Sequence, residues 1–310
     1  MDTSFAKIVA LVVLIILGYL IRRYNLLKDE AFAAISSLVM NVTLPCVILT
    51  NLNGINLSAD LFILAAFGFL ANLLLLAWAF FVSRKNVSEN DRNFIRLNLT
   101  GYSVGPFAVP YVQAFYPTTG LMATFMFNVG NVIMAGGGTF ALIAGANVKT
   151  NLLETIKVIG SSLMHSGPLV AFVLVVAMSS MNFMLPSEVI TCTSIAAQAN
   201  TFLCMIMIGE TINLSMNYEK FKKILGLLGL RWLATIVIAL SAWVFLPFDE
   251  EIRLAITLTC LSPIPTMGLI YTAKLGGDLA MAANMSSLSV ALSIVGMSLT
   301  ILFLGTSIEK

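Results

Sequence analysis

Ten stretches of this chain are apolar over lengths close to the roughly 20 residues that an α-helix needs to cross about 30 Å of hydrocarbon. They cover residues 5–21, 31–52, 61–82, 94–114, 119–145, 156–180, 189–209, 223–246, 252–274 and 279–304. In lipid every backbone polar group needs a partner within the protein, so such stretches read as transmembrane helices and predict an all-α integral membrane fold. Composition supports this: 59% of the residues are hydrophobic and 10% charged, against about a quarter charged in soluble domains. Arg22 and Arg23 follow the first apolar run, the reverse of a cleaved leader, so residues 5–21 read as a first spanning helix. A formal charge of +2, with basic residues scattered over short connections, argues against a nucleic-acid partner. Cys46, Cys192, Cys204 and Cys260 lie in or at the ends of apolar segments with no CxxC pair, so neither a disulfide framework nor a metal site is expected.

Orientation follows from where Lys and Arg fall. One side collects Arg22, Arg23, Lys28, Arg84, Lys85, Arg92, Arg96, Lys149, Lys157, Lys220, Lys222, Lys223, Arg231 and Lys274; the other has Lys7, Arg253 and Lys310. The 14-to-3 asymmetry predicts a multi-pass protein of the cell membrane with both termini extracytoplasmic.

Internal repetition organises the ten segments. Ile95-Arg96-Leu97 recurs as Ile252-Arg253-Leu254, Pro106 as Pro263, Gly120 as Gly277 and Ile55-Asn56-Leu57 as Ile212-Asn213-Leu214, all at an offset of 157. Five spans per half is an odd number, so the second half enters the membrane upside down. The expected units are residues 1–145 with helices 1–5 and residues 156–304 with helices 6–10, as inverted repeats that pair helix 4 with helix 9.

Helices 4 and 9 are the interrupted ones. The fourth carries Asn98, Gly101, Ser103, Gly105, Pro106, Pro110 and Gln113, and the ninth Ser262, Pro263, Pro265, Thr266 and Gly268. An isolated membrane proline is a simple kink. Two interrupted segments at equivalent repeat positions instead predict broken helices that cross at the midplane, with breaks near 105–110 and 262–266.

The runs Asn41-Val42-Thr43-Leu44-Pro45, Gly105-Pro106-Phe107-Ala108-Val109-Pro110, His165-Ser166-Gly167-Pro168 and Pro263-Ile264-Pro265, with Lys274-Leu275-Gly276-Gly277-Asp278 after it, resemble the auxin efflux carrier family from about residue 5 to 304. The connection between the halves is only about residues 145–155, so a compact, prokaryotic-type carrier is the better match. The resemblance implies ten spans, a crossover of helices 4 and 9, and a transport domain of helices 3–5 and 8–10 moving like an elevator against a scaffold of helices 1, 2, 6 and 7. It also implies a small organic anion as substrate, of the auxin, malonate or malate kind, and is compatible with a homodimer.

On that reading Asn98, Gly105, Pro106 and Pro110 sit at one side of the crossover and Pro263, Pro265 and Thr266 at the other. Two half-helix N-termini would supply the positive field, and no Lys or Arg is expected there. Asn128 and Asn131 share a helical face and serve as ligands or as interhelical glue; Asn41 and Asn284 have the same two readings. Glu210, near the end of helix 7, is a coupling group or a residue reaching the interface. His165 reads as interfacial, and Gly136-Gly137-Gly138 as a site of close helix packing. No cofactor is expected, and H+ or Na+ are the candidate coupling ions. A cation–proton antiporter would want a mid-membrane Asp, which is lacking, and no HExxH or paired aspartate suggests an enzyme. A sodium-coupled symporter of the bile-acid type stays open.

Overall fold

The computed structural model describes residues 3–27, 29–55, 58–84, 88–145, 160, 164, 166–212, 216 and 218–305. His165, Lys28, Lys85, Lys149, Lys157, Asn56, Leu57, Asn213 and Leu214 therefore lie outside the described residues. The described structure is helical: α1 Thr3–Arg23, α2 Ala31–Asn51, α3 Ala59–Val82, α4 Glu89–Asn98, α5 Val109–Phe115, α6 Thr119–Ile143, α7 Gly167–Ser180, α8 Ser187–Thr211, α9 Tyr218–Phe245, α10 Glu250–Cys260, α11 Met267–Lys274 and α12 Leu279–Leu304. Seven of these are long and apolar enough to cross a membrane: α1, α2, α3, α6, α8, α9 and α12. The fourth and ninth segments are each divided, into α4 and α5 and into α10 and α11.

The helices pair closely because small residues let backbones approach. Lipid tails are as apolar as leucine, so association in a membrane depends on such packing rather than on a hydrophobic drive. A Cβ added at Gly18 of α1 would overlap the backbone of Ile206 in α8, and one at Gly209 of α8 the backbone of Ile15 and Tyr19 in α1. Gly68 of α3 and Gly130 of α6 meet the same constraint against Phe127 and Ala65. Around these pairs α2 packs on α7 and α8, while α10 packs on α6 and α9. Gly209→Val should therefore separate α1 from α8, lowering the melting temperature in detergent by several degrees or more. Gly226→Val, whose Cβ meets nothing within 4 Å, should melt like the parent protein.

Gly136-Gly137-Gly138, buried as expected of a packing site at Gly136 and Gly137, also bends its helix. The α6 backbone passes through a π-helical turn, Met134–Gly138, in which Gly137 adopts φ 150° and ψ −20°. The run is a kink, and glycine permits it because no Cβ opposes that φ.

At the end of the bundle that carries most of the Lys and Arg, two ion pairs tie α9 to its neighbours. Lys223 bonds Asp91 of α4 at 2.7 Å and Lys220 bonds Asp278, the N-cap of α12, at 2.8 Å. The hydrogen bond from Lys223 holds the Asp91 carboxyl below its ordinary range, and that from Lys220 does the same for Asp278. Both pairs are open to solvent, so they fix position more than they add stability.

Candidate functional site

The site is built around the two interruptions. Between α4 and the π-helical turn Val104–Ala108 that leads into α5, residues Leu99–Ser103 leave the helix, and Gly101 takes φ +84°. Between α10 and α11, Leu261–Thr266 does the same. The segments touch: the Ser103 N–H donates to the Pro263 carbonyl at 2.9 Å, and a Cβ on Gly101 would come within 2.6 Å of Pro265 Cγ.

Unwound backbone within an apolar bundle leaves carbonyls and N–H groups that need partners, and several of them find side-chain partners here. Pro106 has no N–H, so the Tyr102 carbonyl four residues earlier gets no α-helical donor; the Val104 N–H and Asn131 Nδ2 of α6 donate to it instead, each at 3.1 Å. Ser289 of α12 accepts the Ile264 N–H at 3.1 Å. The Leu99 and Gly101 carbonyls each accept from the Arg231 guanidinium at 2.7 Å, and the Ser262 carbonyl accepts from it at 3.4 Å. Arg231 thus binds both interruptions at once, with its guanidinium carbon 5.8 Å from the centre of the Tyr102 ring.

Two expectations need correction here. Arg231 is not part of a basic flank: it lies midway along the 28-residue α9 and is only 2% exposed. The crossing therefore does contain a basic residue. The first break also lies upstream of the position expected from its prolines. Pro106 and Pro110 both belong to the helical continuation, Pro110 in the first turn of α5, because a helix start tolerates a residue without an N–H. Gly101 makes the turn instead. At the second interruption Pro263 and Pro265 do lie in the unwound stretch.

The remaining candidates group around this centre. Asn98 is fully buried and donates to Thr272 Oγ1 of α11 at 3.0 Å, joining α4 to the far half of the other broken helix. Asn131 also donates to Asn128 Oδ1 and accepts from Asn72 of α3, each at 3.1 Å. Both Nδ2 hydrogens and the Oδ1 of Asn131 are thus engaged, and Asn128 is held beside it. Asn72 was not singled out from the sequence, since a lone amide in an apolar helix carries no pattern. Gly105 is half-buried, with only Leu44 Cδ1 near its Cβ position, at 3.9 Å. Asn284 donates to the Ala280 carbonyl one turn back in α12. Asn41 is exposed, bonds Ser37 in its own helix, and borders a cavity of about 370 Å³ between α2 and α7.

Thr266 reaches a larger cavity of about 510 Å³ at the basic end of the bundle. One wall consists of Arg22 with Phe32, Glu210 and Thr211; the other consists of Thr266, Leu269, Ile270 and Ser286. Arg22 donates to the Glu210 backbone carbonyl, capping the end of α8 where helix carbonyls lack partners. Glu210 is 7% exposed and faces this cavity rather than projecting freely from the bundle. A second polar link also escaped the sequence reading: Asn200 of α8 accepts from Thr43 of α2 at 2.9 Å and donates to Gln113 of α5 at 3.1 Å.

A family model described as membrane transport protein matches residues 3–209, about two thirds of the chain. No curated protein matches it.

Proposed function

The chain belongs to the membrane transport protein family, that of the auxin efflux carriers, and on that premise we propose that it carries small organic anions, mono- or dicarboxylates, across the membrane. The observation that favours an anion is Arg231, a buried guanidinium whose partners are neutral carbonyls. The ion pairs among the described residues are Lys220–Asp278, Lys223–Asp91 and Arg253–Glu250, none of which involves it. Holding a buried charge without a counter-charge costs several kcal/mol as an order of magnitude, and an arriving carboxylate offsets it. The second halves of both broken helices begin at the same crossing, so their N-terminal dipoles add positive potential there. Asn98, Thr266 and the backbone around Gly105 and Pro263 form the neutral surroundings, and the 510 Å³ cavity is the approach.

The elevator movement is part of this proposal. Helices α1, α2, α7 and α8 pack on one another, as do α3 with α6, α9 with α10, and α6 with α10. In the proposed arrangement the first group is the scaffold and the rest is the transport domain. The ten traverses, counting each broken helix once, form two inverted repeats of five. The cavity lies between the two groups. The polar links Asn200–Gln113 and Thr211–Ser287 join them, and they are the contacts that a sliding domain exchanges.

Uptake of labelled mono- and dicarboxylates into proteoliposomes tests the substrate class. Saturable uptake of at least one carboxylate is expected, with none of its diamide analogue. Equal transport of acid and amide, or no saturable carboxylate uptake, would exclude an anion carrier. Orientation has its own test, using two positions exposed at opposite ends of the bundle. An impermeant thiol reagent outside intact cells should label Ser187→Cys and leave Lys222→Cys unlabelled until the cells are permeabilised.

A further inference from the structure

We infer that Arg231 is a tethered cation occupying the place where a free alkali-metal ion would otherwise bind, so that this chain holds its anion without Na+ or K+. The inference rests on the anion-carrier reading above and names the cation that serves it.

Unwound carbonyls at the midpoint of broken membrane helices are the usual ligands for a small cation, because their dipoles are not consumed by helical hydrogen bonds. Here the Leu99 and Gly101 carbonyls from one break and the Ser262 carbonyl from the other converge on a single guanidinium at 2.7, 2.7 and 3.4 Å. The guanidinium cannot leave. It is 2% exposed, and its helix α9 packs along α10 and against α3 and α12. It also keeps its proton, since arginine stays charged at any physiological pH. A metal ion at the same carbonyls would face a full positive charge within a few ångströms. The crossing thus has a permanent counter-charge for a carboxylate, and repels the cation that would otherwise be carried with it.

A second observation points to a ligand at the same place. Tyr102 Oη and Ser262 Oγ, one from each interrupted segment, are buried with no hydrogen-bond partner among the described residues. Each is an O–H donor, and each belongs to a segment whose backbone Arg231 or its neighbours hold. Two such donors and a guanidinium suit a carboxylate; their oxygens can also ligate a metal ion, so the adjacent guanidinium is what selects the anion.

The test compares purified protein in NaCl, KCl and choline chloride at equal ionic strength, reading the melting temperature without ligand and then carboxylate affinity by thermal shift with malonate and malate. In the parent protein the melting temperature should be the same in the three salts, and the affinity should agree within about twofold. Arg231→Gln should lose at least tenfold in affinity and gain a Na+-specific rise in melting temperature, because its carbonyls are then free for the metal. Arg231→Lys, which keeps the charge, should remain indifferent to the salt. A parent protein that melts higher in NaCl than in choline chloride, or binds carboxylate tenfold tighter there, would overturn the inference. So would an Arg231→Gln protein with parental affinity. If no carboxylate binds in any salt, the anion reading fails, and the ligand-free melting temperatures still decide whether a metal ion enters the crossing. Should Arg231→Gln not fold, the parent and Arg231→Lys comparisons decide the matter alone.

Discussion

Gly101→Ala should cut transport at least tenfold, whereas Gly105→Ala, four residues away, should leave a protein that folds and transports like the parent. Gly101 is held at φ +84°, a region that costs an L-residue roughly 1–2 kcal/mol. Its Cβ would lie 2.6 Å from Pro265 Cγ and 3.0 Å from Cδ, ring atoms that cannot swing aside. Relief requires the two interrupted segments to part, which strains the Ser103–Pro263 hydrogen bond and the grip of Arg231 on the Gly101 carbonyl. The expected result is a lower melting temperature and uptake reduced at least tenfold. At Gly105 the added methyl meets only Leu44 Cδ1 at 3.9 Å, an ordinary contact. If both variants transport normally, the crossing is not held in the geometry described.

The second large effect is expected at Asn131. Its amide holds the Tyr102 carbonyl, Asn128 and Asn72 together, and it is 3% exposed. Asn131→Ala takes one of two donors from the Tyr102 carbonyl, which keeps the Val104 N–H at 3.1 Å, and removes the acceptor and donor that hold Asn72 and Asn128. At about 1–3 kcal/mol for a buried polar group left unmet, a loss of roughly 1–3 kcal/mol is expected, with carboxylate affinity falling as the break loosens. Asn41→Ala gives the contrast: Asn41 is exposed and bonds Ser37 within its own helix, so its loss should change stability by no more than about 0.5 kcal/mol. Chemical unfolding in mixed micelles reads both values.

Much of the architecture was legible because it depends on local chemistry. Long apolar runs dictate helices, and Pro263 and Pro265 remove two donors in three residues, so the second break falls where the sequence places it. The first break was displaced because its turn is made by Gly101, which takes a positive φ and sits against Pro265, far along the chain. Proline chemistry alone pointed to Pro106 and Pro110, which a helix start accommodates. Arg231 was misassigned for a related reason. Counting basic residues by connection sweeps it in with Lys220, Lys222 and Lys223, although it lies eight residues deeper into an apolar helix than Lys223. That depth was the available signal, since a charge inside a membrane helix is a functional candidate by default. Asn72 and Asn200 offered no such cue; their roles depend on partners in other helices.

Thiol protection at Thr266 tests most directly whether the anion binds at the crossing. Thr266 borders both the second interruption and the 510 Å³ cavity. With the exposed Cys192 and half-buried Cys46 replaced by Ser, a Thr266→Cys protein should react readily with a small thiol reagent. A carboxylate that the protein is shown to bind should slow that reaction at least fivefold at saturation, and its diamide should not. A labelling rate unchanged at saturating carboxylate would place the anion away from the crossing of the two broken helices.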